Sequence, residues 1–193
     1  MLFVIEHMEP KLSEWLYIEY SHAAQIVGRE RLLITNVKEN DEFEKLSRIA
    51  GTERKHFNEL FEKEKLLVLD PRARKKLSPS DFLGKKAVVI GGILGVDPPL
   101  GRTEKLLTKR VKAPARNLGR KQFSIDGAVY VAKQVSEGTP LKEVPAQLGI
   151  EIQIDRGHSV ILPYAYPIVN KKPLISRQLI KYIKRPWKLG LRY

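Results

Sequence analysis

The sequence predicts an α/β fold built on a mostly parallel sheet, and three observations carry the prediction. Strand-like apolar runs at residues 2–5, 32–37, 66–69 and 87–90 alternate with helical or polar stretches, the order that strands joined by crossover helices produce. The chain has 193 residues, enough for one well-buried core and short for two ordinary domains. After Pro145 the pattern changes to short strands separated by turn signals, which predicts a small antiparallel meander. Residues 1–145 are therefore expected to form the main unit, with residues 146–193 packed on it.

The first helix is expected to start near Leu12, with Leu12, Leu16, Tyr20, Ala23 and Val27 on one face and Gly28 as its stop. A second helical region is expected over residues 41–65, its Glu and Lys residues forming a solvated face. The strand at 87–90 runs into the glycine-rich stretch 91–103, which matches no phosphate-binding loop. It lacks both Gly-Lys-Ser/Thr and a G-x-G-x-x-G opening a helix, and it continues into Asp97-Pro98-Pro99. Residues 102–121 carry eight basic side chains against Glu104 alone and read as a covering loop with a short helix, broken at Pro114. Ser124 then caps an amphipathic helix whose Ile125, Ala128, Val129, Ala132 and Val135 recur at helical spacing until Gly138. In the meander, strands at 150–154, 160–162 and 168–169 are separated by Asp155-Arg156-Gly157 and Asn170-Lys171-Lys172. A final helix over 176–185 places Leu179, Ile180 and Ile183 on one face.

Composition removes several function classes. With no cysteine there is no disulfide, thiolate nucleophile or cysteine-based zinc site, and His7, His22, His56 and His158 are scattered without metal-ligand spacing. No apolar run is long enough to span a bilayer and the start reads as a strand, so no membrane role and a cytoplasmic location are expected. The net charge of +13 is uneven. Residues 1–69 hold 10 Lys/Arg and 13 Asp/Glu, net −3, and residues 70–193 hold 25 and 9, net +16. Such a split suits a polyanionic partner such as RNA or a ribosomal surface, or else a charged, heat-adapted exterior. Residues 171–193 add eight basic side chains, no acidic one, and Tyr182, Trp187 and Tyr193, compatible with RNA contact or with an ordinary basic C-terminal helix.

Three loops follow strand-like runs: Leu69-Asp70-Pro71, Gly91 to Gly95, and the stretch from Asn117 into the Ser124 helix. Ligands of α/β sheets bind beyond the carboxyl ends of the strands, and a helix N-terminus there suits a carboxylate. A ligand with an adenosine to wrap in backbone, a carboxylate and no phosphate fits this set, and S-adenosylmethionine is one. Plain turns are the alternative reading.

The segments Ile5-Glu6-His7-Met8-Glu9, Ser13-Glu14-Trp15, Asp70-Pro71-Arg72, residues 91–95 with Pro98-Pro99 and Arg102-Thr103, and Leu118-Gly119 with Lys121-Gln122 and Asp126 run in this order along nearly the whole chain. In this it resembles the SPOUT-fold protein arginine methyltransferase family first described in fungi, whose fungal member modifies a ribosomal protein, with archaeal relatives. The resemblance implies a SPOUT-type sheet whose C-terminal half is tied in a trefoil knot, and S-adenosylmethionine as methyl donor. It implies a donor pocket walled by Leu69, Asp70 and Pro71, by Gly91, Gly92, Ile93, Leu94 and Gly95, and by Leu118, Gly119, Lys121, Gln122 and Ser124.

A guanidinium acceptor stays protonated in proteins and needs carboxylates to hold and polarise it. Glu6, Glu9 and Glu14, with Asp97 and Asp126, are the candidates, and Glu6 is the first choice. Glu14 and Asp126 also read as first-turn helix residues favoured by the dipole. His7 is a carboxylate partner, a proton acceptor or a packed histidine, and His22 is expected to be structural. The fungal members end in an acidic tail, whereas this chain continues Lys184-Arg185-Pro186-Trp187-Lys188. An RNA methyltransferase of the same fold, and a non-catalytic RNA-binding or ribosome-assembly factor, are the rival readings. A ribosomal protein or ribosomal particle as substrate, with RNA contact through the basic end, would reconcile charge and resemblance. The expected state is monomer or homodimer.

Overall fold

The computed structural model describes residues 1–95 and 101–185. Its centre is a six-stranded parallel sheet in which strand β1 (Leu2–His7) lies between β2 (Leu32–Thr35) and β5 (Ala87–Gly92). On one side the sheet continues from β2 to β3 (Gly51–Thr52), and on the other from β5 through β4 (Leu66–Leu69) to β6 (Ala115–Arg116). Register sets Glu6 beside Thr35 on one neighbour and Gly91 on the other, so the chemistry-bearing end of β1 meets the glycines of β5. Runs such as Leu66 to Leu69 are buried on both faces, as parallel strands covered by helices on each side must be.

Helix α1 (Glu14–Val27) begins at Ser13, whose Oγ accepts the Leu16 N–H at 3.2 Å, and stops at Gly28, where φ is 91°. Its Leu16, Tyr20, Ala23 and Val27 pack with Val129, Ala132 and Val135 of α5 (Ile125–Ser136) and with Phe3, Ile5 and Ile90 of the sheet. The other face of the sheet is covered by Phe57, Leu107 and Ala113. Each fully buried large aliphatic side chain in these layers contributes about 1.5–3 kcal/mol. The expected capping of α5 holds, with Ser124 Oγ accepting Gly127 N–H at 3.3 Å.

The helical region expected over 41–65 is instead broken into α2 (Asn40–Ser47), β3 and the single turn α3 (Phe57–Leu60). Gly51 and β-branched Thr52 leave the helix to pair with Leu33 and Ile34, and the chain re-enters a turn at His56, whose N–H donates to Glu59 Oε1 at 2.8 Å. The stretch before Pro114 forms a π-helical turn (Glu104–Thr108) and α4 (Lys109–Val111), and the two-residue β6 follows. The strand expected to end at Ile90 runs on through Gly91 and Gly92, both paired with β1.

The meander is the antiparallel sheet β7 (Ala146–Gln153), β8 (Ser159–Val169) and β9 (Lys172–Pro173). Strand β8 is longer than the sequence suggests because its two prolines interrupt little. Pro163 falls opposite the bulge between Leu148 and Ile150, and beside Pro167 it is the Ile168 N–H that reaches across, donating to Pro145 O at 2.8 Å. Asn170 and Lys171 both adopt positive φ and make the expected tight turn. Helix α6 (Arg177–Ile183), capped by Ser176 at 3.2 Å, closes the layer, its Leu179 and Ile183 clustering with Tyr166 of β8 and Ile18 of α1. Among the described residues no helix is long and apolar enough to cross a membrane.

Candidate active site

The carboxyl ends of β4 and β5 and the N-terminus of α5 converge on two adjoining hollows. The first is walled by Leu69, Asp70 and Pro71, by Gly91 and Ile93, and by Leu118, Lys121, Gln122 and Ser124. Beside this hollow the chain is closely packed at Gly95. A Cβ on Gly95 would lie 2.5 Å from both Gln122 Nε2 and Tyr164 Cε1, and Tyr164 Oη donates to Gly95 O at 2.6 Å. Asp70 is buried, accepting Thr108 O–H at 2.6 Å and Arg72 N–H at 2.9 Å, which fixes the turn after β4. Its lining combines backbone, the buried Asp70 carboxylate, the polar side chains of Thr103, Lys121, Gln122 and Ser124, and apolar side chains, without the Gly-Lys-Ser/Thr sequence of a phosphate loop. This chemistry fits an adenosine carrying a thioether or sulfonium. A larger hollow of about 430 Å³ near Arg29 and Glu30 lies at the amino ends of β1 and β2, the end of a parallel sheet at which ligands do not bind.

The second hollow, about 330 Å³, shares Ile93, Phe123, Ser124 and Ile125 with the first and extends under residues 160–164 of β8. Glu19 projects into its wall from α1 and is only 3% exposed. Trp15 Nε1 donates to Glu19 Oε1 at 2.7 Å, and the backbone N–H of Ile125 donates to Oε2 at 3.1 Å. Burial, and after it the charge of Asp126, push the Glu19 carboxyl up to about 8, against which the Trp15 and Ile125 hydrogen bonds work. Glu19 therefore occupies the helix N-terminus that the sequence reserved for a ligand carboxylate: the Ile125 N–H is taken by Glu19, and that of Gly127 by Ser124 and by Asp126 Oδ1 at 2.8 Å. Sequence reasoning missed Glu19, although an acidic residue three places after Leu16, inside the apolar stripe of α1, was a signal for it.

The expected carboxylates do not share one site. Glu6, the first choice, is 1% exposed, with Oε1 2.5 Å from His56 Nδ1 and Oε2 accepting Thr35 O–H at 2.5 Å and Phe57 N–H at 3.2 Å. These three contacts tie β1, β2 and α3 together, and the structure places this expected lead residue outside both hollows. Glu9 Oε1 accepts Leu94 N–H at 2.9 Å and Arg102 Nη1 at 3.1 Å, and Arg102 Nη2 also donates to Leu94 O. Glu9 thus clamps the inner edge of the glycine stretch. Glu14 is half-exposed and pairs with Arg185 at 2.6 Å. Asp126 is buried 2.6 Å from His22 Nδ1. Asp97 lies outside the described residues. Among the expected donor-site residues, Gly92 and Gly119 line neither hollow: Gly92 lies beneath Tyr20, whose Oη donates to its carbonyl at 3.4 Å, and Gly119 makes an open turn at φ 92°.

His7 is 4% exposed, with Nδ1 3.0 Å from Tyr20 Oη and Nε2 3.5 Å from Glu42. Burial lowers its pKa, which favours neutral imidazole, against the raising influence of Glu42, Glu9 and Glu6. No group of three or more potential metal ligands occurs among the described residues.

A family model described as SFM1-like protein arginine N-methyltransferase matches residues 2–188. Over 202 aligned residues the chain is 29% identical to protein arginine N-methyltransferase SFM1 of Saccharomyces cerevisiae, covering 96% of this chain and 95% of that protein. The crystal structure of yeast SFM1 complexed with S-adenosylhomocysteine superposes with a TM-score of 0.86 at 27% identity, covering 95% of this chain and 94% of that one. The S-adenosylmethionine complex gives 0.85 at 28%, covering 95% and 89%. The dual specific Trm10 of Thermococcus kodakaraensis, at 0.56 and 21% identity over 74% of this chain and 96% of that one, is alike in fold alone. The expected SPOUT-type sheet is thus shared with solved methyltransferases. Because the family match spans almost all of the 193 residues, the chain belongs to the SFM1-like protein arginine N-methyltransferases.

Proposed function

We propose that this protein transfers a methyl group from S-adenosylmethionine to an arginine side chain of a ribosomal protein. The observation that carries the reading is Glu19, a desolvated carboxyl group in the wall of a hollow that adjoins the first one. The bound donor supplies a methyl group on a positively charged sulfur. Residues 69–71, 91, 93, 118, 121, 122 and 124 would hold it, and every other task falls to the chain around the acceptor.

In water an exposed carboxylate attracts a guanidinium weakly. At Glu19, which is 3% exposed, the same pair would be held by a stronger, charge-assisted contact. The arriving guanidinium cation favours ionised Glu19. Trp15 and Ile125 N–H fix the carboxylate from behind, and proton loss from the attacking nitrogen then has an acceptor within the site. Glu9, through Leu94, holds the shared wall between donor and acceptor in place, which is the positioning that in-line displacement requires.

The expected trefoil knot belongs to this reading. It is supported by the way residues 71–86 grip the exit of β6: Asn117 N–H donates to Lys75 O at 2.9 Å, Leu77 N–H to Asn117 O at 2.9 Å, Asn117 Nδ2 to Ala73 O at 2.7 Å, and Arg116 Nε to Asp81 at 2.8 Å. A ribosomal acceptor is supported by charge. Residues 70–193 are net +16, and α6 exposes Arg177 and Lys181 to solvent. That same charge favours the second reading, an RNA acceptor.

Labelled S-adenosylmethionine incubated with ribosomal proteins and with ribosomal RNA separates the two. Label on protein arginine that disappears with Glu19→Gln and persists with Glu14→Gln supports the reading. Label confined to RNA, or no calorimetric heat with S-adenosylmethionine at millimolar concentration, refutes it.

A further inference from the structure

Glu19 has a companion carboxylate. Helices α1 and α5 cross so that Glu19 receives the first N–H of α5, from Ile125, and the next residue, Asp126, faces His22, which follows Glu19 by one turn of α1. Asp126 is 1% exposed, and two neighbouring buried acids are costly unless one is protonated or a cation compensates. The fold supplies that compensating group in His22. Its side chain is 13% exposed and borders a separate hollow of about 370 Å³ between α1 and the start of α6, shared with Ser176 and Arg177.

We propose that His22 and Asp126 are positioning residues for methyl transfer, the 2.6 Å pair setting the charge that faces Glu19 and thereby when Glu19 is ionised to receive arginine. This rests on the reading of Glu19 as the acceptor carboxylate. Transfer joins the guanidinium nitrogen to the methyl carbon as the carbon–sulfur bond breaks with its electrons left on sulfur, and one N–H proton leaves to ionised Glu19. A fully charged Asp126 opposes that ionised form. A donor or positive charge on His22 screens Asp126 and permits it.

The other titratable groups facing Glu19 do not compete for this role. Tyr20 of α1 and Tyr166 of β8 are each pushed well above the ordinary tyrosine value, first by burial and then by Glu19 among other acids, and both remain neutral. Arg177 of α6 stands at the mouth of the His22 hollow and contributes a fixed positive charge on that side.

The indole N–H of Trp15 donates to Glu19 and so reports its ionisation without any reaction. Its nuclear magnetic resonance shift is followed against pH, with Trp187→Phe identifying which of the two tryptophan signals is Trp15. The expected result is a single midpoint that falls by about one pH unit or more in Asp126→Asn and rises by about half a unit or more in His22→Ala, as removal or unmasking of an adjacent charge requires. If His22→Ala does not fold, His22→Leu, which fills the same space without a donor toward Asp126, takes its place with the same expected sign.

With an arginine peptide as acceptor, the limb of the kcat/KM–pH profile, which reports the free enzyme, is expected to follow the Trp15 midpoint in each variant. A Trp15 midpoint that stays put in both variants overturns the proposal, and so does a kcat/KM limb that ignores a moved midpoint. Wild-type protein that methylates no arginine refutes the functional reading instead, and the Trp15 midpoints still decide whether the pair controls Glu19.

Discussion

Glu19→Gln gives the most direct test of the electrostatics at the acceptor pocket, because its consequence for stability has a fixed sign and slope. The folded chain holds the Glu19 proton up to about pH 8, whereas an unfolded chain releases it near the ordinary value of 4.5. Between those values the folded state carries the extra proton, so the contribution of this group is fully present at low pH and is lost as pH rises towards 8. Each pH unit inside the window removes about 1.4 kcal/mol, or about 3 kcal/mol between pH 5 and pH 7. Gln keeps the volume and never ionises. Urea unfolding of both proteins at pH 5, 6 and 7 is therefore expected to show the variant gaining on wild type by about 3 kcal/mol across the range. The comparison cancels every other titrating group common to the two proteins. A stability difference that does not change with pH would mean that Glu19 ionises like a surface acid, and the reasoning would fail. The same substitution is expected to lower methyl transfer about 100-fold or more while leaving S-adenosylmethionine affinity near wild type, measured by calorimetry beside the kinetic assay.

Other sites give simpler outcomes. Gly92→Ala puts a Cβ 2.7 Å from Glu6 O and inside the Tyr20 hydroxyl, so a loss of about 1–3 kcal/mol in denaturant unfolding is expected. Glu9→Gln removes the charge that holds Arg102 at 3.1 Å against Leu94, and is expected to raise the KM for donor and acceptor together with less than about 1 kcal/mol change in stability, since that ion pair is part-exposed. Thr108→Val deletes the 2.6 Å hydrogen bond to buried Asp70 and is expected to cost about 1–3 kcal/mol and to weaken S-adenosylmethionine binding, read by melting with and without ligand.

Where one physical signal dominated, the sequence was easy to read. Leu66 to Leu69 and Ala87 to Ile90 are uniformly apolar because both faces of their strands are covered, and Ser124 announced α5 because an N-terminal turn needs an acceptor for its free N–H groups. The break at Gly51 was hidden by the charged residues around it, since a two-residue strand owes its existence to the neighbouring β2 and has no periodicity of its own. Carboxylates were harder still. Glu6, Glu9 and Glu14 look alike in sequence, but one is locked by His56 and Thr35, one clamps a loop and one is solvated against Arg185. The group that faces the pocket, Glu19, was concealed by its position within an apolar stripe. Three-dimensional neighbours decide which acid is free to act, and they lie far along the chain: Glu6 meets His56, Glu9 meets Leu94 and Arg102, and Glu19 meets Ile125.

Asn117 ties the far end of β6 to residues 73, 75 and 77, about forty positions earlier in the chain. Bringing such separated segments together costs loop-closure entropy. Residues 69–71 and 118–124 of the donor groove stand on either side of that closure, so its strength sets how well the groove is held. Donor affinity then becomes a gauge of the closure, and substitutions at Asn117, which lines neither hollow, would read in any activity screen as defects of the donor site.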